Sequence, residues 1–166
     1  MTWLDELPEA QRALVVSAPA PRRAAAMKAV LSKKRFSDPK WIFERKLDGI
    51  RCIAIRDAGG VRLLSRNDLA MNGRYPEIAA ALERQPCERF AIDGEVVAMS
   101  HGQTSFSLLA QRGQRAVHVL LYAFDVLWLD GYDVRALPLR VRKRLLRERI
   151  DFADPLRWTS HRNERG

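Results

Sequence analysis

The chain has 166 residues, 47% hydrophobic and 30% charged, enough apolar content to bury one core and too much for whole-chain disorder. Its formal charge is +9, and residues 134–166 carry ten Lys or Arg against four Asp or Glu, which points to a polyanionic partner, with a solvated basic surface as the alternative. Cys52 and Cys87 stand alone without Cys-x-x-Cys spacing, which excludes a disulfide framework and fits a reducing, cytoplasmic setting.

Residues 3–15 read as a short helix, and the acidic start at Asp5, Glu6 and Glu9 excludes a secretory signal. Ala18-Pro19-Ala20-Pro21 breaks that helix, and Arg22 to Leu31 is predicted to be a second helix or an ordered arm. Ser37-Asp38-Pro39 is a turn signal, after which a strand begins at Trp41. Ile50 to Ile55 and Val61 to Ser65, separated by Asp57-Ala58-Gly59-Gly60, form a hairpin signature. Tyr75 to Arg84 is an amphipathic helix with Pro76 in its first turn and Ile78, Ala79 and Leu82 on one face.

Phe90 to Met99 returns to strand, and its alternation places Ala91, Asp93, Glu95 and Val97 on one face. Ser105 is positioned to cap a short helix ending at Arg112. Val117 to Leu129 is almost continuously apolar, as a central strand buried on both faces would be, and Asp130-Gly131 ends it. That run includes His118 and Asp125 and is shorter than the about 20 residues a spanning helix needs, so no membrane insertion is expected. Pro138 to Ile150 is a basic helix offering Leu139, Leu145, Leu146 and Ile150 to the core, with Arg140, Arg142, Lys143, Arg144 and Arg147 largely facing water. Strands mixed with interspersed helices indicate an α+β domain.

The richest chemistry lies in Trp41 to Arg51. Lys46 reads as a nucleophile, which attacks only as the free amine and therefore needs neighbouring positive charge and partial burial. Arg45 and Arg51 are sources of that charge. Gly49 would let the backbone approach a phosphate, and Asp48 would orient the amine or a bound cation. A strand ending in an ordinary Asp-Gly turn is the alternative for this stretch. Likewise, Asp93 and Glu95 by periodicity alone are equally an exposed polar face, and Phe124 by residue type is core. Asp125 reads as structural, accepting hydrogen bonds inside an apolar run. His101, His118 and His161 lack metal-ligand spacing.

Four stretches occur in order: Lys46-Leu47-Asp48-Gly49-Ile50-Arg51, Ser65-Arg66-Asn67, Ile92-Asp93-Gly94-Glu95-Val96 and Tyr122-Ala123-Phe124-Asp125-Val126-Leu127. From about Met27 to Gly131 the chain resembles the adenylation domain of ATP-dependent DNA ligases. The resemblance implies an ATP-grasp-like nucleotidyltransferase fold with mostly antiparallel sheets and flanking helices. It makes residues 1–26 an N-terminal helical or arm segment and residues 27–166 a partial adenylation domain without an oligonucleotide-binding barrel. By the same resemblance, Lys46 takes AMP from ATP as a phosphoramidate and passes it to the 5′-phosphate of nicked duplex DNA. Arg51 and Arg66 would contact ribose, phosphate and later the DNA end. Glu44 would meet the adenine end, Glu95 the ribose and a Mg²⁺ ion, and Phe124 would stack on the purine.

The family continues with a metal-binding glutamate and a pair of lysines at the α-phosphate, which the resemblance does not find here. The domain is therefore expected to be C-terminally incomplete, adenylating weakly alone, with a second polypeptide as one source of the remaining motifs. Repair is the expected process and the cytoplasm the expected location, associated with the nucleoid if the source is bacterial. The rivals are an RNA ligase or mRNA-capping nucleotidyltransferase, which shares the lysine motif, and a non-catalytic nucleic-acid-binding remnant.

Overall fold

A computed structural model describes residues 2–23, 26–32, 36–100 and 102–163. In chain order its elements are α1 (Glu9–Arg12), β1 (Val16–Ser17), β2 (Phe43–Glu44), β3 (Ile50–Asp57), β4 (Gly60–Ser65), α2 (Pro76–Glu83), β5 (Phe90–Ser100), β6 (Gln103–Thr104), α3 (Phe106–Ala110), β7 (Val119–Leu129), β8 (Tyr132–Asp133), α4 (Leu139–Arg149), β9 (Leu156–Trp158) and β10 (His161–Arg162). Eight strands form one sheet along the path β1-β8-β7-β5-β3-β4, with β6 on β5 and β9 on β7, while β10 and β2 pair separately. Among the described residues every strand pairing is antiparallel except β7 with β9. The α+β class and the mostly antiparallel architecture expected from the sequence are both present.

Turn chemistry sets the register. In the β3–β4 hairpin the Asp57 carboxylate accepts from the Gly59 amide at 2.8 Å, and Gly60 takes φ +93°, a conformation open mainly to glycine. At the β7–β8 turn Asp130 and Gly131 both have positive φ, 50° and 95°, the pairing that matches the twist of two antiparallel strands.

The sheet buries both faces. One packs Cys52, Ala54, Ile92, Val96, Leu121 and Ala123 against α2 and α4 through Ile78, Leu82, Leu145 and Leu146, and Trp3 and Leu7 join the same cluster. The other carries a smaller cluster of Ile53, Ile55, Ala91, Leu127 and Trp128, covered by Ala18, Ala20 and Ala26 of the N-terminal arm. The Trp128 indole donates to the Ala18 carbonyl at 2.8 Å, and Arg62 donates to the Pro21 and Arg22 carbonyls, which fastens the arm across this face.

Three elements differ from expectation. The helix of residues 3–15 shrinks to Glu9–Arg12 because Pro8 precedes it and disfavours helical backbone at Leu7, while Val16 is recruited to pair with Asp133. Arg22 to Leu31 holds no helix among its described residues and runs as an arm; positions 24 and 25 lie outside the described residues. The strand expected from Trp41 is only Phe43–Glu44, because its sole partner is the two-residue β10.

Candidate active site

Three charged residues continue the row that buries Ile55, Ile53 and Ala91. Alternation along β3 leads from Ile55 and Ile53 to Arg51, and along β5 from Ala91 to Asp93 and Glu95. Register sets Arg51 opposite Glu95 and Ile53 opposite Asp93. Arg51 grips Asp93 with both prongs of its guanidinium, Nε to Oδ1 at 2.5 Å and Nη2 to Oδ2 at 2.6 Å. Burial pushes the Asp93 carboxyl up and the Arg51 bond pulls it back, while Arg51 itself is raised chiefly by that bond. Glu95 accepts from the Gly49 amide at 3.1 Å, and burial raises its carboxyl against the opposing pull of Arg51.

Lys46 is exposed in the loop between β2 and β3. That loop is held at its far end by Gly49, where an added Cβ would fall 2.1 Å from the Val96 carbonyl oxygen. The close approach that requires glycine is thus to β5, not to a phosphate as expected. Asp48 also departs from expectation. Its amide donates to Thr104 Oγ1 at 3.0 Å, and its carboxylate accepts from the Phe106 amide at 3.2 Å, so it ties the lysine loop to the start of α3.

Phe124 owes its orientation to pairing. Asp93 pairs with Asp125 and Gly94 with Ala123, so Phe124 is the extra residue of a β-bulge on β7, a device that turns a side chain out of strict alternation. It is half-buried, and the Arg51 guanidinium carbon lies 4.8 Å from its ring centroid, a cation-aromatic platform suited to a planar base with phosphates nearby. Arg66 sits just beyond β4, where the Ser65 hydroxyl accepts from the Asn67 and Leu69 amides and shapes the loop that presents it.

The basic helix is less solvated than its pattern indicates. Lys143 is 1% exposed, bonded to the Glu44 carboxylate and to the carbonyls of Phe124 and Thr159. Arg142 clasps Asp125 at 2.7 and 2.8 Å, which gives Asp125 the structural role expected of it. Arg144 and Arg147 remain exposed, and Arg147 lies over the Trp158 ring. His118 pairs with Asp154 at 2.9 Å and His161 lies opposite Glu44; His101 is outside the described residues.

All six residues singled out from the sequence, Glu44, Lys46, Arg51, Arg66, Glu95 and Phe124, line one cleft of about 1090 Å³. Lys28 and Met27 of the arm and Thr159 beyond β9 join them, and these three had no local signal because topology alone brings them there. Another cleft, of about 810 Å³ between Arg112–His118 and Asp154–Pro155, contains none of the six. A divalent cation fits the first cleft in one way. Among the described residues no group of three or more His, Cys, Asp or Glu could cage it. Glu95, however, presents a half-buried carboxylate to the cleft, and Mg²⁺ is commonly held by one or two carboxylates together with substrate phosphates. No helix among the described residues is long and apolar enough to cross a membrane.

Comparison with known proteins bears on this arrangement. Residues 21–165 match the ATP dependent DNA ligase domain family. The chain is 38% identical over 108 residues to the multifunctional non-homologous end joining DNA repair protein LigD of Mycobacterium tuberculosis, covering 64% of this chain and 14% of LigD. It is 32% identical over 118 residues to the SPbeta prophage-derived DNA ligase-like protein LigB of Bacillus subtilis, covering 69% of this chain and 43% of LigB. A solved mycobacterial DNA ligase D, complexed with ATP and MES, superposes with a TM-score of 0.60 at 31% identity over 73% of this chain and 40% of that one. The chain thus spans less than half the length of these relatives, and it belongs to the ATP-dependent DNA ligase domain family.

Proposed function

We propose that the chain is the nucleotide-loading part of an ATP-dependent DNA ligase acting in DNA repair, with Lys46 as the nucleophile. The observation that carries this reading is the convergence of Lys46, Glu44, Arg51, Arg66, Glu95 and Phe124 on one cleft, from four separate stretches of sequence. In the first step the Lys46 Nζ lone pair attacks the α-phosphorus of ATP. The bond to the bridging oxygen breaks, pyrophosphate leaves with its electron pair, and the lysine releases a proton. A 5′-phosphate oxygen of nicked duplex DNA then displaces Lys46 from the phosphorus, and the neighbouring 3′-hydroxyl finally attacks the 5′-phosphorus and expels AMP.

Within that scheme each side chain has a task its position allows. The Phe124 ring and the Arg51 guanidinium offer stacking to the purine, Arg45 and Arg66 offer charge to phosphates, and Glu44 offers an acceptor at the base end. Glu95 would hold Mg²⁺, whose charge would neutralise the triphosphate and the departing pyrophosphate. The exposed cations Arg144 and Arg147 provide a surface for the DNA backbone, whose contribution should fall steeply with added salt. Further charge at the α-phosphate is proposed to come from a segment additional to these residues, in the same product or in a second polypeptide. The test is pyrophosphate release on incubation with ATP and Mg²⁺. Release approaching one equivalent per chain supports the proposal, and none, with or without the remaining ligase segment of a relative supplied in trans, refutes it.

A further inference from the structure

Behind the cleft wall lies a buried cation that the proposed chemistry does not use. Lys143 does not line the cleft, yet its ammonium meets three acceptors: the Glu44 carboxylate through Oε1, the Phe124 carbonyl at 3.2 Å and the Thr159 carbonyl at 2.9 Å. All three of those residues do line it. A lysine has three protons to donate, so the group is saturated. The Trp158 ring, 5.2 Å from Nζ, closes another side. One residue of α4 therefore joins the strand before the lysine loop, the bulge of β7 and the segment after β9.

Each acceptor brings something different to the wall. Phe124 is the bulged residue, and the bond to its carbonyl anchors the bulge from behind. Glu44 has only Oε1 occupied among the described residues, and a carboxylate bonded to an ammonium is an acceptor with no proton to offer. Thr159 is 6% exposed, and its hydroxyl, although buried, has no hydrogen-bond partner among the described residues. Its backbone is fixed on both sides, by Lys143 at the carbonyl and by the Ala123 carbonyl at 2.9 Å from its amide. A buried orphan hydroxyl is rare without a ligand or water to meet it.

We infer that Lys143 is a positioning residue for purine choice: it holds the Glu44 carboxylate and the Thr159 hydroxyl at the edge of the Phe124 ring, so that the wall accepts a 6-amino purine and rejects a 6-oxo purine. Adenine carries a donor at that position and guanine an acceptor, and an anionic acceptor discriminates between them by attraction to one and repulsion of the other. This inference rests on the reading of the cleft as a nucleotide site.

The test is equilibrium binding of ATP, GTP and the triphosphate of purine riboside, which lacks the 6-amino group, to the full chain. The wild type should bind ATP about ten-fold or more ahead of the other two, the discrimination of one hydrogen bond to a charged group. Lys143→Met, with a side chain of similar length and no charge, should bring that preference within about two-fold while GTP affinity stays within about three-fold, because ring and phosphate contacts remain. Lys143→Arg, which restores a cation, should recover part of the preference. If Lys143→Met fails to fold by near-UV circular dichroism, Thr159→Val decides, since loss of the hydroxyl alone should reduce the ATP preference about three-fold. An unchanged preference in either folded variant, or equal weakening of all three probes, overturns the inference and leaves the nucleotide site standing. No binding of any probe to the wild type overturns the nucleotide reading itself and this inference with it.

Discussion

Two ends of one sheet face use the same alternation for opposite purposes. At one end Ile53, Ile55, Ala91, Leu127 and Trp128 are sealed beneath Ala18, Ala20 and Ala26. At the other end the same rows of β3 and β5 continue as Arg51, Asp93 and Glu95, and the cover gives way to a cleft. The apolar end supplies rigidity and the polar end supplies charge, and a single step of two residues along each strand separates them. Chemistry is thereby mounted on a packed strand and not on a mobile loop, with only Lys46 and Arg66 carried on loops that hydrogen bonds brace at both ends.

That division makes separable predictions. The largest effect belongs to Lys46→Ala, which should abolish any covalent AMP while leaving the melting temperature unchanged, since the side chain is exposed; a lowered melting temperature would show a structural role. At the apolar end, Ile53→Ala removes a side chain that is 1% exposed and should cost about 2–4 kcal/mol of stability by denaturant titration. The ATP affinity of its folded fraction should be preserved, and a parallel loss of affinity would break the comparison. At the polar end, Phe124→Ala should weaken ATP binding by about 1–3 kcal/mol, a stacking magnitude taken from nucleic-acid sites, with a smaller change in stability; the reverse ranking would return Phe124 to the core.

The smallest effect concerns Glu95 and pH. Burial raises its carboxyl in the folded chain above the ordinary glutamate value of 4.5. Its contribution to stability is therefore fully present below that value and is lost as pH rises through the raised one. Binding of Mg²⁺ with ATP, which needs the carboxylate, should run the other way and strengthen across the same window. Glu95→Gln keeps an oxygen for the Gly49 amide and should flatten both dependences, with a melting temperature at neutral pH no lower than that of the wild type. A marked drop there would mean that the charge itself supports the fold.

Much of this site was legible in the sequence because its parts are local. Lys46 and Arg51 are set by a loop and a strand within six residues, and the alternation of Phe90 to Met99 correctly put Asp93 and Glu95 on one face. What stayed hidden depends on partners remote in sequence. The bulge that presents Phe124 exists only relative to β5, so residue type alone placed that ring in the core. Helical periodicity sent Lys143 to solvent because its partner, Glu44, is 99 residues away. Gly49 was correctly marked as a close-approach position, but the approaching group is the carbonyl of Val96, brought there by β-pairing. The N-terminal helix was overdrawn because Pro8 and the pull of β8 on Val16 outweigh the helical preference of the residues around them.

The most direct measurement is intact-mass analysis after incubation with ATP and Mg²⁺, followed by peptide mapping of any adduct. The account predicts a gain of one AMP per chain, slow in the isolated chain and faster with the remaining ligase segment supplied, located on the peptide containing Lys46 and absent from Lys46→Ala. AMP on another lysine, or an adduct of normal yield in Lys46→Ala, would contradict it.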